Sequence, residues 1–331
     1  MAHSTEAVLL TGGAGYVGSH TAWALTDAGR DVVVLDDLST GRRDVLPPTA
    51  KFVHGSIGNE AILAEILEKH RIKAIIHMAA LTVVPDSIAT PIPYYVNNVG
   101  NSLVLLKAAL AYGVQDFVFS STAAVYKPQG TVPLPESAPT GALSPYGQSK
   151  LMVETILADV GASAGLRWLA LRYFNVAGAD QAGRTGQFTP NASHLLKVAC
   201  EVAVGRRPTL DIFGDDYETQ DGTCVRDFIH VSDIADAHVK ALDYLEADGR
   251  SRVLNCGYGQ ATSVKQIVAA IERITGTRLP TQMRGRRPGD APFMVADSGA
   301  IRKVLGWRPR FADLDTIVGS ALAWERAASL P

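Results

Sequence analysis

The chain has 331 residues, 47% of them apolar and 19% charged, which is too apolar for a disordered polymer and long enough for two domains. Thirty-one basic side chains face 33 acidic ones, a formal net charge of −2. That balance leaves no basic excess for nucleic acid or a membrane surface, so neither is an expected partner. Cys200, Cys224 and Cys256 are odd in number and far apart, which suggests neither a disulfide framework nor a zinc site. Met1 to Glu6 is short and polar, and no apolar run approaches the ~18 residues of a bilayer span. The expectation is a cytoplasmic globular protein that holds no metal.

In chain order, Ala7–Thr11 reads as a strand and 15–28 as a helix closed by Gly29. Asp31–Asp36 is a strand with four apolar residues in succession, and Lys51–His54 is a shorter one. A helix over 59–70, a strand over 73–78, a helix over 94–112 closed by Gly113 and a strand over 115–120 follow. Strands apolar on both faces and separated by helices predict a parallel sheet covered on both sides. Right-handed crossovers make it an α/β, doubly wound sheet. Beyond Arg172 the alternation stops. Residues 178–191 read as a loop, followed by helices over 194–204, near 234–245 and near 264–274. This predicts a first unit over 1–175, its sheet completed by segments near 225–260, and a smaller C-terminal α/β lobe over 176–331. No linker separates them, so a cleft between them is the expected ligand site.

Gly12, Gly15 and Gly18 lie where the first strand meets the first helix. Gly12 permits a tight turn, Gly15 a close approach of backbone to a pyrophosphate, and Gly18 the packing of helix on sheet. The first helical N–H groups, from Tyr16 and Val17 on, then face the phosphates. Asp36 ends the second strand 18 residues after Gly18, where a carboxylate accepts hydrogen bonds from a ribose diol. This is the dinucleotide signature of a Rossmann-like sheet. The carboxylate argues for NAD, and Arg42 and Arg43 are the counter-indication, since arginines there can hold a 2′-phosphate.

Ser144 and Pro145 suit the start of a helix, and Tyr146 and Lys150 then share one face, one turn apart. An ammonium beside a phenol lowers the phenol's pKa toward a usable base. Ser120-Ser121-Thr122 ends a strand on the same sheet edge and offers a hydroxyl to the alcohol that Tyr146 would deprotonate. His77, inside an apolar strand, reads as a satisfied core residue, and His230 as structural.

The glycine turn, the Ser-Ser-Thr strand end and the Tyr-x-x-x-Lys helix together resemble the extended short-chain dehydrogenase/reductase superfamily. Within it, segments 94–99, 144–150, 171–178, 211–217, 221–231 and 286–290 resemble the UDP-galactose (UDP-glucose) 4-epimerases, in order from about residue 7 to about 310. The resemblance implies Tyr146 as acid and base, Lys150 as its electrostatic and ribose partner, and Thr122 on the sugar 4′-oxygen. It implies Ser56 and Ile57 near adenine and Asn98 beside the nicotinamide. It puts Asn175, Arg226 and Arg287 on the UDP diphosphate, Asp290 on the uridine ribose, Ile212 and Phe213 on the uracil side and His194 near the substrate. The implied cofactor is NAD, held through turnover, and the implied substrate is a UDP-sugar passing through a 4-keto form. A homodimer through the helix of Leu103, Leu106 and Leu110 and the helix of Tyr146 is also implied. Dehydratases of the superfamily carry a carboxylate after the Ser/Thr, where this chain has Ala123 and Ala124. The chain departs from the pattern at Ser56, Thr82 and Lys127. UDP-pentose, UDP-uronate and UDP-N-acetylhexosamine 4-epimerases, sugar-nucleotide dehydrogenases and a non-catalytic NAD-binding sensor remain alternatives.

Overall fold

The computed structural model describes residues 6–189, 192–287 and 289–328. Asn191 at the end of the expected loop and Pro288 in the 286–290 segment lie outside them. Six strands, β1 (Ala7–Thr11), β2 (Asp31–Asp36), β3 (Lys51–His54), β4 (Ile72–His77), β5 (Asp116–Thr122) and β6 (Arg167–Tyr173), join Arg252–Cys256 in one sheet. All pairings are parallel, and the order is Arg252–Cys256, β6, β5, β4, β1, β2, β3. The chain winds from β1 outward to β3 and then returns to the other side of β1 with β4. This reversal opens a crevice at the carboxyl edge between β1 and β4, the place where such sheets bind ligands.

Side-chain alternation divides the strands between two cores. Val8 and Leu10 of β1 point to one face, Ala7 and Leu9 to the other. The first face is covered by helices Tyr16–Asp27 and Val231–Glu246, with Leu195–Ala203, Val264–Thr275 and Leu314–Ala327 in the same cluster. The second is covered by Glu60–Lys69, Asn101–Ala111 and Pro145–Ala164. Leu9 and Leu10 are fully buried, so truncating either to Ala costs about 2–5 kcal/mol. The first core takes in both Val8 and Leu322, so the C-terminal segments share an interior with the sheet.

Several expected elements differ from the observed ones by a residue at an end, and two differ by more. β5 continues two residues past 120, so that Thr122 pairs with Tyr173 as its last strand residue. The expected 94–112 helix begins at Pro91, and Val96–Gly100 within it is a π-turn. The wider turn is the local irregularity that places Asn98 at the sheet edge; such turns are frequent at functional sites.

Three small pairings carry C-terminal segments to the same edge. Asn175–Ala177 pairs with Phe228–His230, and Leu210–Phe213 with Thr281–Arg284. Val225–Arg226 lies between Thr262–Ser263 and Phe293–Met294. No helix among the described residues is long and apolar enough to cross a membrane.

Four histidines are buried and held neutral. His77 sits between the hydroxyls of Thr11 and Ser102, each 2.8 Å away, and burial pulls it down to about 3. Burial likewise pulls His20, His230 and His238 down to about 4. Below the ordinary value of 6.5 the unfolded chain takes up protons that the folded chain refuses, so stability falls with falling pH until about 4. Each group contributes up to about 1.4 kcal/mol per pH unit across that window. Urea unfolding is therefore expected to give a free energy several kcal/mol lower at pH 5 than at pH 7.5; equal values would contradict the buried neutral state.

Candidate active site

The turn after β1 is built around contacts that only glycine tolerates. A Cβ on Gly12, whose φ is +68°, would lie 2.6 Å from the Ala79 nitrogen, and one on Gly18 would lie 2.1 Å from the Gly12 oxygen. At Gly15 a Cβ would meet only the Gly12 oxygen, at 3.3 Å. The helix that follows starts at Tyr16 with Gly15 as its cap, and no side chain satisfies its first N–H groups. Helices beginning after Asn59, Ser144, Ser263 and Asp313 are all capped by those side chains. The uncapped turn, with Tyr16, Val17 and Gly18 as its first residues, is thus available to an anion. Tyr16 serves through its backbone alone, because its hydroxyl donates to the Gly178 carbonyl at 2.6 Å.

Asp36 sits at the carboxyl end of β2, where Oδ2 accepts from Ala14 N–H at 2.9 Å and Oδ1 from Leu38 N–H at 2.8 Å. Burial raises its pKa while these bonds oppose the shift. Arg42 is occupied by Asp44 and lies over Phe188, and Arg43 lies over Phe52. Neither arginine is therefore directed to a phosphate beside Asp36. Ser56 Oγ accepts from Gly58 N–H at 3.1 Å, and Ile57 is buried. Asn98 clasps the backbone of Leu81 on both sides, N–H to Oδ1 at 2.8 Å and Nδ2 to carbonyl at 3.0 Å, and donates to Ser149.

Ser144 caps the helix Pro145–Ala164 by accepting from Gly147 N–H, and Pro145 fills the first position. Tyr146 is half-buried and hydrogen-bonded to Thr122. Thr122 Oγ1 accepts from Ala124 N–H at 3.1 Å, which leaves its own proton to donate outward. Lys150 donates from Nζ to the Ser120 carbonyl at 2.8 Å and lies over the Phe119 ring. The expected lowering of the Tyr146 pKa by Lys150 is not what the protein groups produce. Burial pushes Tyr146 up to about 12, opposed by its bond to Thr122. Burial also pulls Lys150 down to about 7, opposed by the nearby carboxylate of Glu154. Making Tyr146 a base near neutrality therefore needs a further positive group beside it.

The C-terminal residues converge as well. Asn175 directly follows β6 and Phe174, and its N–H donates to the Asp227 carbonyl. Arg226 reaches Asp290 at 3.7 Å, and Arg287 stacks over Phe213 at 4.0 Å from the ring centre. The Ile212 side chain is buried in the first core, so of the pair only Phe213 offers its side chain toward the arginine. His194 is bonded to Gln187 at 2.8 Å at an exposed position, and desolvation on the side packed against the protein lowers its pKa.

Reading the sequence missed Glu154. It lies on the face of Tyr146 and Lys150, four residues past the lysine, and that spacing was the available signal. Its carboxylate binds Arg172 and Ser121.

The NAD dependent epimerase/dehydratase family matches residues 8–257. A UDP-glucose 4-epimerase of Azospirillum brasilense is 55% identical over 320 residues, covering 97% of this chain and 92% of the relative. Among solved structures, the UDP-glucose-4-epimerase of Stenotrophomonas maltophila with bound NAD and formylated UDP-arabinopyranose superposes with a TM-score of 0.94 at 40% identity, over 98% of this chain and 99% of that one. The UDP-glucose 4-epimerase of Bifidobacterium longum in complex with NAD+ and UDP gives 0.92 at 37% identity, over 97% and 98%.

Proposed function

The chain belongs to the NAD dependent epimerase/dehydratase family, and on that footing we propose that it interconverts UDP-galactose and UDP-glucose at C4 while keeping NAD bound. The observation that carries this reading is the hydrogen-bonded Tyr146–Thr122 pair, half-buried at the sheet edge and followed by Ala123 and Ala124 rather than a carboxylate. Such a pair can move a proton at one oxygen, and it has no neighbour able to take a proton from carbon.

The residues present suit the dinucleotide. The uncapped helix with Gly12, Gly15 and Gly18 would hold its phosphates, Asp36 its adenosine ribose, Ser56 and Ile57 its adenine side, and Asn98 and Lys150 its nicotinamide end. When bound, NAD supplies a positively charged two-electron acceptor that serves as the donor in the second half of the reaction. Tyr146 Oη accepts the proton of the 4-hydroxyl and returns it to the same oxygen later, so no proton is consumed. Thr122 donates to that oxygen throughout. Lys150, buried one turn away, would add its ammonium to the positive charge of the bound cofactor, and the two together favour the phenolate.

Arg226, Arg287 and Asn175 would hold the diphosphate, Asp290 the uridine ribose, and Phe213 with the Ile212 backbone the uracil side, with His194 close by. This anchors the nucleotide while the sugar turns to present its other face. The planar guanidinium fork suits a diphosphate better than an ammonium does.

A homodimer is part of the proposal. Leu103 and Leu110 are exposed on one helix and Met152 on the helix of Tyr146. Leu106, expected on the same stripe, is buried in the second core instead. The cytoplasm is the proposed setting, a reading supported by three buried thiols that are all free.

The purified protein is expected to convert UDP-galactose to UDP-glucose with no added NAD, and denaturation should release NAD. Tyr146→Phe should lower turnover roughly 10²–10⁴-fold and still release NAD on denaturation. Deuterium placed at C4 should be retained in the product; its appearance in solvent would sink the reading. Leu103→Glu should shift sedimentation from dimer to monomer, and an unchanged profile would place the interface elsewhere.

A further inference from the structure

Tyr146, Lys150 and Glu154 are spaced by four residues along one helix and so occupy successive turns of a single face. Glu154 is 5% exposed. Arg172 of β6 grips it with two prongs, Nε to Oε1 at 3.0 Å and Nη2 to Oε2 at 2.6 Å, and Ser121 donates its hydroxyl to Oε1. Ser121 and Arg172 are cross-strand partners on β5 and β6. The carboxylate therefore ties the helix to both strands at one level.

That level is the catalytic one. Ser121 lies between Ser120, whose carbonyl receives Lys150, and Thr122, whose hydroxyl meets Tyr146. Arg172 is held from its other side by the ring of Tyr126, and the Tyr126 hydroxyl donates to Asn255 at 2.6 Å. A buried ion pair adds little net stability over apolar packing of the same volume, so stability alone does not account for one beneath the active helix.

We propose that Glu154 is a positioning residue for the proposed epimerase reaction, setting the Tyr146–Thr122 distance through Ser121 and the charge of Lys150 across one helical turn. The groups facing Lys150 are few. Its own helix presents Tyr146 and Glu154, β5 presents the Ser120 carbonyl and the Phe119 ring, and β4 presents neutral His77. From β6 comes Arg172, whose charge Glu154 offsets. Among these, Glu154 is the anion that favours the protonated lysine. Without its charge Lys150 gives up its proton at lower pH, and the help it lends to the Tyr146 phenolate ends at lower pH too.

The test uses the protein as purified, with UDP-galactose as substrate, across the neutral and alkaline range. Glu154→Gln should lower kcat about ten- to hundredfold with KM nearly unchanged, the signature of a displaced reacting group. Its alkaline limb should move down by about half a pH unit or more. Glu154→Asp keeps the charge and loses reach, so its kcat should fall while the limb stays in place. The double variant Glu154→Met, Arg172→Met keeps an apolar fill for a fold that tolerates no unpaired arginine, and should reproduce the limb shift of Glu154→Gln. Variants with wild-type kcat and pH profile and only a lower Tm would overturn the assignment while leaving the epimerase reading intact. A wild-type chain that fails to interconvert the two nucleotides would overturn both.

Discussion

The proposed chemistry rests on how the first turns of one helix meet the last residues of one strand. The helix Pro145–Ala164 brings Tyr146 and Lys150, and β5 brings the Ser120 carbonyl and Thr122. Each side is fixed separately. Ser144 and Pro145 set where the helix begins, and the parallel register with β6 sets where β5 ends. Between them the Glu154–Arg172–Ser121 cluster fastens the two elements. A shift of one residue in either would carry Tyr146 away from Thr122, since helix positions rotate by about 100° per residue.

The second requirement is a cavity with two unlike ends. At the glycine turn the chain offers unpaired N–H groups and a carboxylate already anchored by Ala14 and Leu38. Across the crevice it offers arginines set against an acid and an aromatic ring. The phenol between them lies in a dry place that raises its pKa, so its ionisation depends on positive charge brought close. A tyrosine in such a place stays protonated until positive charge is brought beside it.

The sheet was largely legible because β1 and β2 are short, mostly apolar runs whose burial needs no context. The end of β5 was not: Ser121 and Thr122 are polar, and they remain in the strand because Glu154 and Tyr146 satisfy their hydroxyls. The π-turn at 96–100 has no composition that separates it from ordinary helix. The spacing of Tyr146 and Lys150 showed that they share a face but not that the ammonium would find the Ser120 carbonyl first, since that acceptor comes from another element. Arg226 and Asp290 lie far apart in the chain, and resemblance alone placed both on one ligand. The physical cause of their meeting is the pairing of Val225–Arg226 with Phe293–Met294.

The two halves of the chain are sewn together over the first helix. Tyr16 donates to Gly178, Ser19 meets Thr185, and Arg184 bridges Asp27 and Asp180 over the ring of Trp23. With one interior running from Val8 to Leu322, the halves have no seam along which to gape. In the proposed reaction, presenting opposite sides of a tethered sugar then falls to the guest and not the host: the pyranose pivots on its own phosphate tether while the nucleotide stays anchored.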